Sequence, residues 1–300
     1  MQKTLLLSGA SGLVGSALIT SLDPQTHRVL QLVRHPVHGE SEHVSWSPGA
    51  HAIEREKLDG LSAVVHLAGE PIAAKRWNPE QKARIRDSRV EGTRLLAEAL
   101  AAAQNKPEVL VCASAIGWYG DRGSETLTES SDPGEGFLAE VTRDWEKAAD
   151  PAREAGIRVV HLRLGVVLSP DGGALAKMLL PFRLGLGGPL GDGRNFMSWV
   201  ALPDVVSIIK EALANSQMNG AYNVTAPHPV NSREFAKTLG KVLHRPAVIP
   251  LPAPAIRIGL GEMGETLLLH SAKVLPERLT GEVGYDFQYP ELYPALEALL

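Results

Sequence analysis

The chain has 300 residues, 44% of them hydrophobic and 21% charged, and its formal net charge is −4. These values exclude a disordered chain and argue against a basic surface for nucleic acid. The single cysteine, Cys112, excludes an intrachain disulfide and a cysteine metal cluster. Since no apolar run has the length of a membrane span or a signal-peptide core, we expect a cytoplasmic protein without a membrane partner.

Short, almost continuously apolar runs alternate with helical patterns in the first half of the chain. Apolar runs without strict alternation are typical of parallel strands that are buried on both faces. Strands that alternate with helices in this way predict a doubly wound parallel sheet. The predicted strands are 5–8, 28–33, 63–67, 108–114 and 158–164, and the predicted helices are 79–103 and 137–155.

The pattern changes after residue 168. A strand at 197–200, a helix at 203–215 and a strand at 221–225 follow a glycine-rich stretch at 185–193. Asn231 and Glu234 form a variant capping box, which predicts a helix up to about residue 243. Residues 292–300 have the pattern of an amphipathic helix.

Glycines recur every third residue where the first predicted strand passes into a helix. In dinucleotide-binding turns the first glycine permits the tight turn, the second admits the pyrophosphate and the third lets the helix pack on the strand. The helix N-terminus then offers free N–H groups and a favourable dipole to the phosphates. In this strand–turn–helix context the motif predicts a dinucleotide site. Its residues are Gly9, Ser11, Gly12, Leu13, Val14 and Gly15.

Arg34 ends the second predicted strand, about twenty residues beyond this turn. An acidic residue there would bind the ribose 2′-hydroxyl of NAD, whereas an arginine suits the 2′-phosphate of NADP. The next acidic residue is Glu40. The sequence therefore predicts NADP(H), and a solvated arginine at a strand end is the alternative.

Several further segments resemble the short-chain dehydrogenase/reductase superfamily, in its extended, epimerase-like branch. Residues 66–69 (His-Leu-Ala-Gly) are similar to a strand end that flanks the adenosine and ribose, and 90–93 to an N-x-x-G-T stretch in which Arg89 replaces the asparagine. Residues 114–120 resemble the turn that runs from the catalytic serine to Tyr-Gly. The segment 197–204 resembles a strand followed by an aspartate.

Residues 137–146 and 179–189 narrow the resemblance to an atypical "epimerase family protein" group. Its C-terminal domain of unknown function is similar to the chain from Pro250 onward, including 275–279 (Leu-Pro-Glu-Arg-Leu). The resemblance covers the whole chain and implies an NADP-binding Rossmann fold. It also implies that residues 66–70 (His66, Leu67, Ala68, Gly69 and Glu70) lie beside the cofactor. From the basic stretch at 75–89 we predict that Ser88 or Arg86 lies against the cofactor or an anionic substrate.

The catalytic Y-x-x-x-K pair of the superfamily is missing. The residues four positions after the five tyrosines are Gly123, Ala226, Tyr289, Tyr293 and Glu297. Phe137 and Val141 stand where the resemblance places the tyrosine and the lysine, and neither side chain can transfer a proton.

Three interpretations follow. Tyr119 acts with Ser114 and with a cation such as Arg122 or Lys177; or Glu140 serves as acid or base; or the protein binds NADP without turnover. We predict Ser114 and Tyr119 as the catalytic residues.

Other residues leave two interpretations each. Arg163, a charge within an apolar strand, is paired in the core or close to phosphate or substrate. The 185–193 loop is a lid over the cleft or a long structural turn. Glu70 lies at the cofactor or is an ordinary loop carboxylate. Ser88 and nearby Arg86 lie at the cofactor or on a solvated helix face.

Four histidines between residues 35 and 51 have no metal-ligand spacing, so we expect no metal site.

The sequence thus predicts a Rossmann-type α/β protein with a smaller C-terminal substrate cap. We assign residues 1–168 and 197–226 to the NADP-binding domain and 169–196 and 227–300 to the cap. The expected function is that of an atypical NADP-dependent oxidoreductase or epimerase acting on a small hydroxy or keto compound. The alternative is a catalytically silent NADP-binding sensor or interaction protein.

Overall fold

A computed structural model describes residues 2–35 and 42–300, so His38 and Glu40 of the sequence analysis lie outside the described residues. The strands are β1 Lys3–Ser8, β2 His27–Val33, β3 His43–Ser47, β4 Ala52–Ile53, β5 Ala63–His66, β6 Val109–Ala115, β7 Thr126–Leu127, β8 Arg158–Leu164, β9 Val166–Ser169, β10 Phe196–Met197, β11 Trp199–Ala201, β12 Gly220–Val224, β13 Val230–Asn231 and β14 Lys273–Val274. The helices are α1 Leu13–Ser21, α2 Pro79–Ala101, α3 Phe137–Lys147, α4 Asp150–Glu154, α5 Gly173–Arg183, α6 Leu202–Ala214, α7 Ser232–Val242, α8 Ala253–Gly264, α9 Glu277–Gly281 and α10 Leu292–Leu299.

Eight strands form one sheet in the order β12-β8-β6-β5-β1-β2-β3-β4. Its neighbours pair in parallel, except that β4 runs antiparallel to β3. The strand order reverses at β1, which lies between β2 and β5. Ligands of such sheets bind at the carboxyl ends of the strands beside this reversal. The predicted doubly wound parallel sheet is confirmed.

Both faces of the sheet are covered, which explains the continuous apolar runs. Leu5 and Leu7 of β1 belong to a core shared with α1 and α6, whereas Leu6 between them belongs to a core shared with α2 and α4. Successive side chains of a strand point to opposite faces, so a central strand needs apolar residues at every position.

Two predicted elements are each divided in two. The helix expected over 137–155 is split between α3 and α4, with Pro151 at the start of α4. A proline cannot donate the backbone hydrogen bond that a continuous helix needs. The strand expected over 197–200 is interrupted at Ser198, whose hydroxyl donates to the Ala272 carbonyl at 2.8 Å and accepts from Val274 N–H at 2.8 Å.

The C-terminal part packs against the rest of the chain at several points outside the main sheet. Helices α5, α7 and α10 share a core with Trp199. Strand β14 pairs with β7, and the buried Asp204 carboxylate accepts N–H bonds from Gln288 and Tyr289 at 2.8 and 3.1 Å. The exact division between domain and cap stays a prediction. Among the described residues, no helix combines the length and apolar character required to cross a membrane.

Candidate functional site

The glycine turn after β1 is packed backbone to backbone. A Cβ on Gly15 would lie 2.2 Å from the Gly9 carbonyl oxygen, and one on Gly9 would lie 2.9 Å from the Leu67 carbonyl carbon. Gly9 also has a φ of +71°, which favours glycine. The turn therefore requires glycine at both positions, and it brings residues 9–15 against the loop that follows β5.

The N-terminus of α1 is left open for a ligand. Its N-cap is Gly12, which has no side chain to cap the helix, and Ser11 and Gly12 are exposed. The N–H groups at the start of a helix have no partner within the helix. Those of Leu13 and Val14 thus lie at the carboxyl edge of the sheet, where the dipole favours an anion.

Ser8 joins the glycine turn to the loop after β5. Its Oγ accepts the N–H groups of Leu67 and Ala68 at 3.0 and 3.1 Å, and it lies 2.7 Å from Nδ1 of His66. The Ser8 hydroxyl and His66 Nδ1 thus share one hydrogen bond, and His66 Nε2 has no hydrogen-bond partner among the described residues. Burial lowers the pKa of His66 to about 4, so the ring is neutral. The buried His66 side chain therefore packs inside the protein against the loop that follows β5, and only the backbone of His66 is available to a ligand.

Residues 67–70 and 9–15, which we call the backbone cradle, are held in place from α2. Ser88 Oγ accepts the Glu70 N–H at 3.0 Å, and Arg89 Nη1 donates to the Glu70 carbonyl at 2.9 Å. A Cβ on Gly69 would lie 3.2 Å from the Arg89 guanidinium carbon. Burial lowers the pKa of Arg89 to about 10, and the guanidinium stays charged at neutral pH. The Arg89 guanidinium thus places a positive charge next to Gly69 and Glu70 of the cradle.

Arg34 follows the last residue of β2 and is exposed. Because β2 pairs in parallel with β1, its end lies at the same edge of the sheet as the glycine turn. The cradle and Arg34 thus share one edge, as the sequence predicts. Arg86, by contrast, forms a surface ion pair of 2.9 Å with Asp144 of α3.

Ser114 is buried at the end of β6 and is hydrogen-bonded within the protein. Its hydroxyl donates to Glu146 Oε1 at 2.6 Å, and Arg163 binds both Glu146 oxygens at 2.8 and 2.9 Å. Burial by itself raises the pKa of Glu146, but the hydrogen bonds and charge of Arg163 outweigh it, and the pKa lies below the usual value. The carboxylate is therefore ionised and keeps the Ser114 proton.

Tyr119 is completely buried. Its hydroxyl accepts from Arg163 Nη1 at 3.1 Å and lies 2.7 Å from Asn223 Oδ1 and 3.0 Å from the Thr128 carbonyl, both acceptors. Burial raises the pKa of Tyr119, which opposes a role as base. Ser114, Tyr119, Glu146, Arg163 and Asn223 form one set, which we call the hydroxyl network.

The cation beside Tyr119 is Arg163, not either of the two that the sequence suggested. Arg122 pairs with Glu125, and Lys177 donates to the Ala73 carbonyl at 3.4 Å. The strand arginine is thus paired in the core, one of its two expected positions. The catalytic roles of Ser114 and Tyr119 stay predictions, and the structure shows that both of their protons have acceptors inside the protein.

The two positions that lack the tyrosine and the lysine carry the apolar side chains Phe137 and Val141. Phe137 packs edge to face on Trp77 at 5.2 Å, and Lys82 Nζ lies 4.5 Å from its ring. Val141 is buried and Glu140 is exposed. Neither Phe137 nor Val141 can transfer a proton.

Sequence reasoning missed three residues that organise the site: Arg89, Glu146 and Asn223. Arg89 and Glu146 carry a usable signal, since a charge on an otherwise buried helix face needs a partner. Asn223 carries none, because it lies more than 100 residues from Tyr119 along the chain.

The 185–193 loop is fixed by packing. A Cβ on Gly188 would lie 2.0 Å from the Ile249 carbonyl oxygen, and one on Gly187 would lie 2.5 Å from the Phe182 ring. These contacts favour the structural turn over the lid. Cys112 is buried in β6, and burial raises the pKa of its thiol to about 12, so it stays protonated.

Family models match most of the chain. The model described as "NAD dependent epimerase/dehydratase family" matches residues 5–225, and the "Domain of unknown function (DUF1731)" matches residues 251–299. The chain is 39% identical over 290 residues to epimerase family protein MT2273 of Mycobacterium tuberculosis, which covers 97% of this chain and 95% of the relative.

Two solved structures are similar over the full chain. The human epimerase family protein SDR39U1 with NADPH has a TM-score of 0.88 and 34% identity, with 99% of this chain and 98% of that chain covered. The nucleoside-diphosphate sugar epimerase from Corynebacterium glutamicum has a TM-score of 0.81 and 36% identity. There the match covers 100% of this chain but 58% of the other.

Proposed function

Because the chain belongs to the NAD dependent epimerase/dehydratase family, we propose that it binds NADP(H) and uses it on a small, sugar-like hydroxy or keto compound. The single observation that carries the proposal is the backbone cradle. Its glycines exclude a side chain from the turn, and the uncapped start of α1 offers N–H groups to a phosphate.

Each part of the edge suits one part of the cofactor. The turn at Gly9–Gly15 suits the pyrophosphate, and exposed Arg34 suits the 2′-phosphate. The backbone of residues 66–69 suits the adenosine and ribose, with Glu70 beyond it, and Ser88 and Arg89 hold that loop in place. When bound, the nicotinamide supplies hydride transfer. The human relative whose structure contains NADPH supports this choice of cofactor.

Charge reversal at Arg34 tests the cofactor preference. We expect Arg34→Glu to weaken NADPH binding by about tenfold or more, since a charge-assisted phosphate contact becomes repulsive. NADH binding changes little. Arg28→Glu, at the opposite end of the same strand and equally exposed, serves as the matched control. Equal loss for both nucleotides, or for both variants, contradicts the proposal.

The redox activity needs its own experiment. A panel of hydroxy and keto compounds, including sugar nucleotides, is offered to the protein with NADPH and NADP⁺, and the nicotinamide absorbance is followed. Substrate-dependent oxidation or reduction that disappears in Gly15→Ala supports the enzyme. Where activity is found, Ser114→Ala and Tyr119→Phe test the predicted catalytic roles, and unchanged turnover refutes them.

The hydroxyl network favours a second candidate, a protein that binds NADP(H) without turnover. Both predicted proton donors are buried and have acceptors, and Phe137 and Val141 cannot replace them. A structure with NADPH separates the two functions, because a general acid or base must lie within about 4 Å of the reacting atoms. No proton-transfer group at that distance from nicotinamide C4 favours the silent binder.

A further inference from the structure

Exposed apolar side chains are concentrated on one part of the C-terminal region. Eight large hydrophobic side chains are exposed among residues 2–35 and 42–300, and seven of them lie in the segments 180–186 and 248–258. Leu180, Val248 and Ile258 are the most exposed, at 68%, 77% and 79%. We call the seven the cap patch: Leu180, Leu184, Leu186, Val248, Ile249, Leu251 and Ile258. Single exposed hydrophobics are ordinary, but such a concentration marks a contact surface.

The two segments of the patch are joined rigidly. Ile249 N–H donates to the Gly187 carbonyl at 3.1 Å, and Leu251 N–H donates to the Pro189 carbonyl at 2.9 Å. Arg245 Nε donates to the Arg183 carbonyl at 2.9 Å. Because these bonds and the glycine packing already order the segments, a partner that binds here would not have to order them.

Within the two segments of the patch the charges have one sign, and the exposed carboxylates that follow the segments directly, Asp192 and Glu262, are paired with Arg194 and Lys82 at 3.9 and 2.8 Å. Residues 180–191 and 244–261 contain three arginines and no carboxylate, although the whole chain has a net charge of −4. Arg257 is paired with Glu265 at 3.0 Å, which lies outside these segments. Arg183 and Arg245 remain exposed beside the aliphatic side chains. The surface therefore complements apolar groups interspersed with carboxylates.

We propose that the cap patch is a docking surface for a partner protein that presents aliphatic side chains and carboxylates, as an acidic amphipathic helix does. A second copy placed symmetrically on the patch would set the arginines of one chain against those of the other. Anionic lipid surfaces are bound by larger groups of Lys and Arg and by interfacial aromatic residues. The two segments of the patch present two arginines that have no ion-pair partner among residues 2–35 and 42–300, and no exposed aromatic side chain. In the Corynebacterium glutamicum structure, the region that matches this chain is 58% of a longer polypeptide.

A pair of synthetic peptides tests the proposal on the full-length protein. One is a fluorescent helical peptide with Leu at every third or fourth position and Glu between them, and the other has Lys in place of each Glu. Fluorescence anisotropy should show binding of the Glu peptide at least about tenfold tighter than that of the Lys peptide. Equal affinity for both peptides, or binding of neither, overturns the proposal.

Variants of exposed residues assign the binding to the patch. Leu184→Ser and Val248→Ser should each weaken the Glu peptide about tenfold, whereas Leu300→Ser, at the exposed hydrophobic outside the patch, should not. The double variant Arg183→Glu with Arg245→Glu should prefer the Lys peptide. An unchanged preference in that variant overturns the charge argument.

Two measurements examine the other occupants. Wild-type protein is mixed with phosphatidylcholine vesicles with and without phosphatidylglycerol, and its self-association is followed by sedimentation velocity. Vesicle binding that Leu184→Ser removes would identify a lipid surface instead, and a dimer that the same variant dissociates would identify a second copy. Either result overturns the proposal, and monomeric protein that does not bind vesicles supports it.

Discussion

The backbone cradle and the hydroxyl network lie at the same edge of one sheet but differ in where their hydrogen-bonding groups point. The cradle consists of glycines and main chain, and the N–H groups that start α1 are uncapped. The network consists of side chains, and its two hydroxyl protons have acceptors inside the protein. The first region leaves hydrogen-bonding groups without a side-chain partner, and the second joins β6, β8, β12 and α3.

We therefore expect the cradle to determine nucleotide affinity and the hydroxyl network to determine stability. A serine and a tyrosine at the ends of strands suggest catalysis in the sequence, yet a hydroxyl serves as a proton donor only where its hydrogen can reach the substrate. Substitutions in the network should therefore change stability, and substitutions in the cradle should change nucleotide affinity.

The largest effect is expected when the buried ion pair is broken. Arg163→Leu leaves the Glu146 carboxylate buried without its partner, which costs about 3–5 kcal/mol of the free energy of unfolding. Urea denaturation measures the loss. Arg84→Ala, in an exposed pair with Glu80, is the control and should cost less than about 1 kcal/mol. Similar losses in the two variants would show that the network is not structural.

In the cradle, Gly15→Ala should act on affinity. Its Cβ would lie 2.2 Å from the Gly9 carbonyl oxygen, so the turn must open, and we expect about hundredfold weaker NADPH binding. Fluorescence titration gives the dissociation constant. Nothing lies within 4 Å of a Cβ on Gly49, so Gly49→Ala should bind as the wild type does. Normal NADPH affinity in Gly15→Ala would exclude this turn as the site.

Tyr119→Phe removes a hydroxyl that has three partners. We expect a loss of about 1–3 kcal/mol in the free energy of unfolding, because Asn223 Oδ1 and Arg163 Nη1 lose a buried partner. NADPH affinity should not change. Tyr293→Phe, whose hydroxyl contacts Glu297 on the surface, is the control. If Tyr119→Phe kept its stability but lost NADPH binding, Tyr119 would belong to the nucleotide site and not to a structural network.

The smallest effect, counted per pH unit, concerns acid stability. Burial lowers the pKa of His66 and of His161 from 6.5 to about 4. The unfolded chain therefore takes up these protons first, and stability falls as pH decreases from about 6.5 to about 4. Each histidine contributes up to about 1.4 kcal/mol per pH unit within that window. His161→Leu should remove one proton from the measured pH dependence, and an unchanged dependence would contradict the depressed pKa.

The strand–turn–helix geometry of the glycine turn could be predicted from the sequence because its signals are local. Gly9, Gly12 and Gly15 are close in sequence and follow a strand, and the position of Arg34 follows from the parallel pairing of β2 with β1. The alternation of apolar strands with helices was sufficient for the doubly wound sheet. Local patterns of this kind are independent of tertiary partners.

The hydroxyl network could not be predicted because its contacts are distant in sequence. Ser114 meets Glu146 from 32 residues away, and Tyr119 meets Asn223 from 104 residues away. Nothing in the local sequence around these residues shows that their side chains face one another. Similarly, the break at Ser198 depends on its bonds to residues 272 and 274, which no local pattern indicates.

The affinity of the unmodified protein for NADPH, measured beside its affinity for NADH by calorimetry under one set of conditions, tests the central claim most directly. A cradle with Arg34 at its edge predicts saturable binding of one NADPH per chain, at least about tenfold tighter than NADH. Tighter binding of NADH, equal binding of the two, or no binding of either would contradict the account.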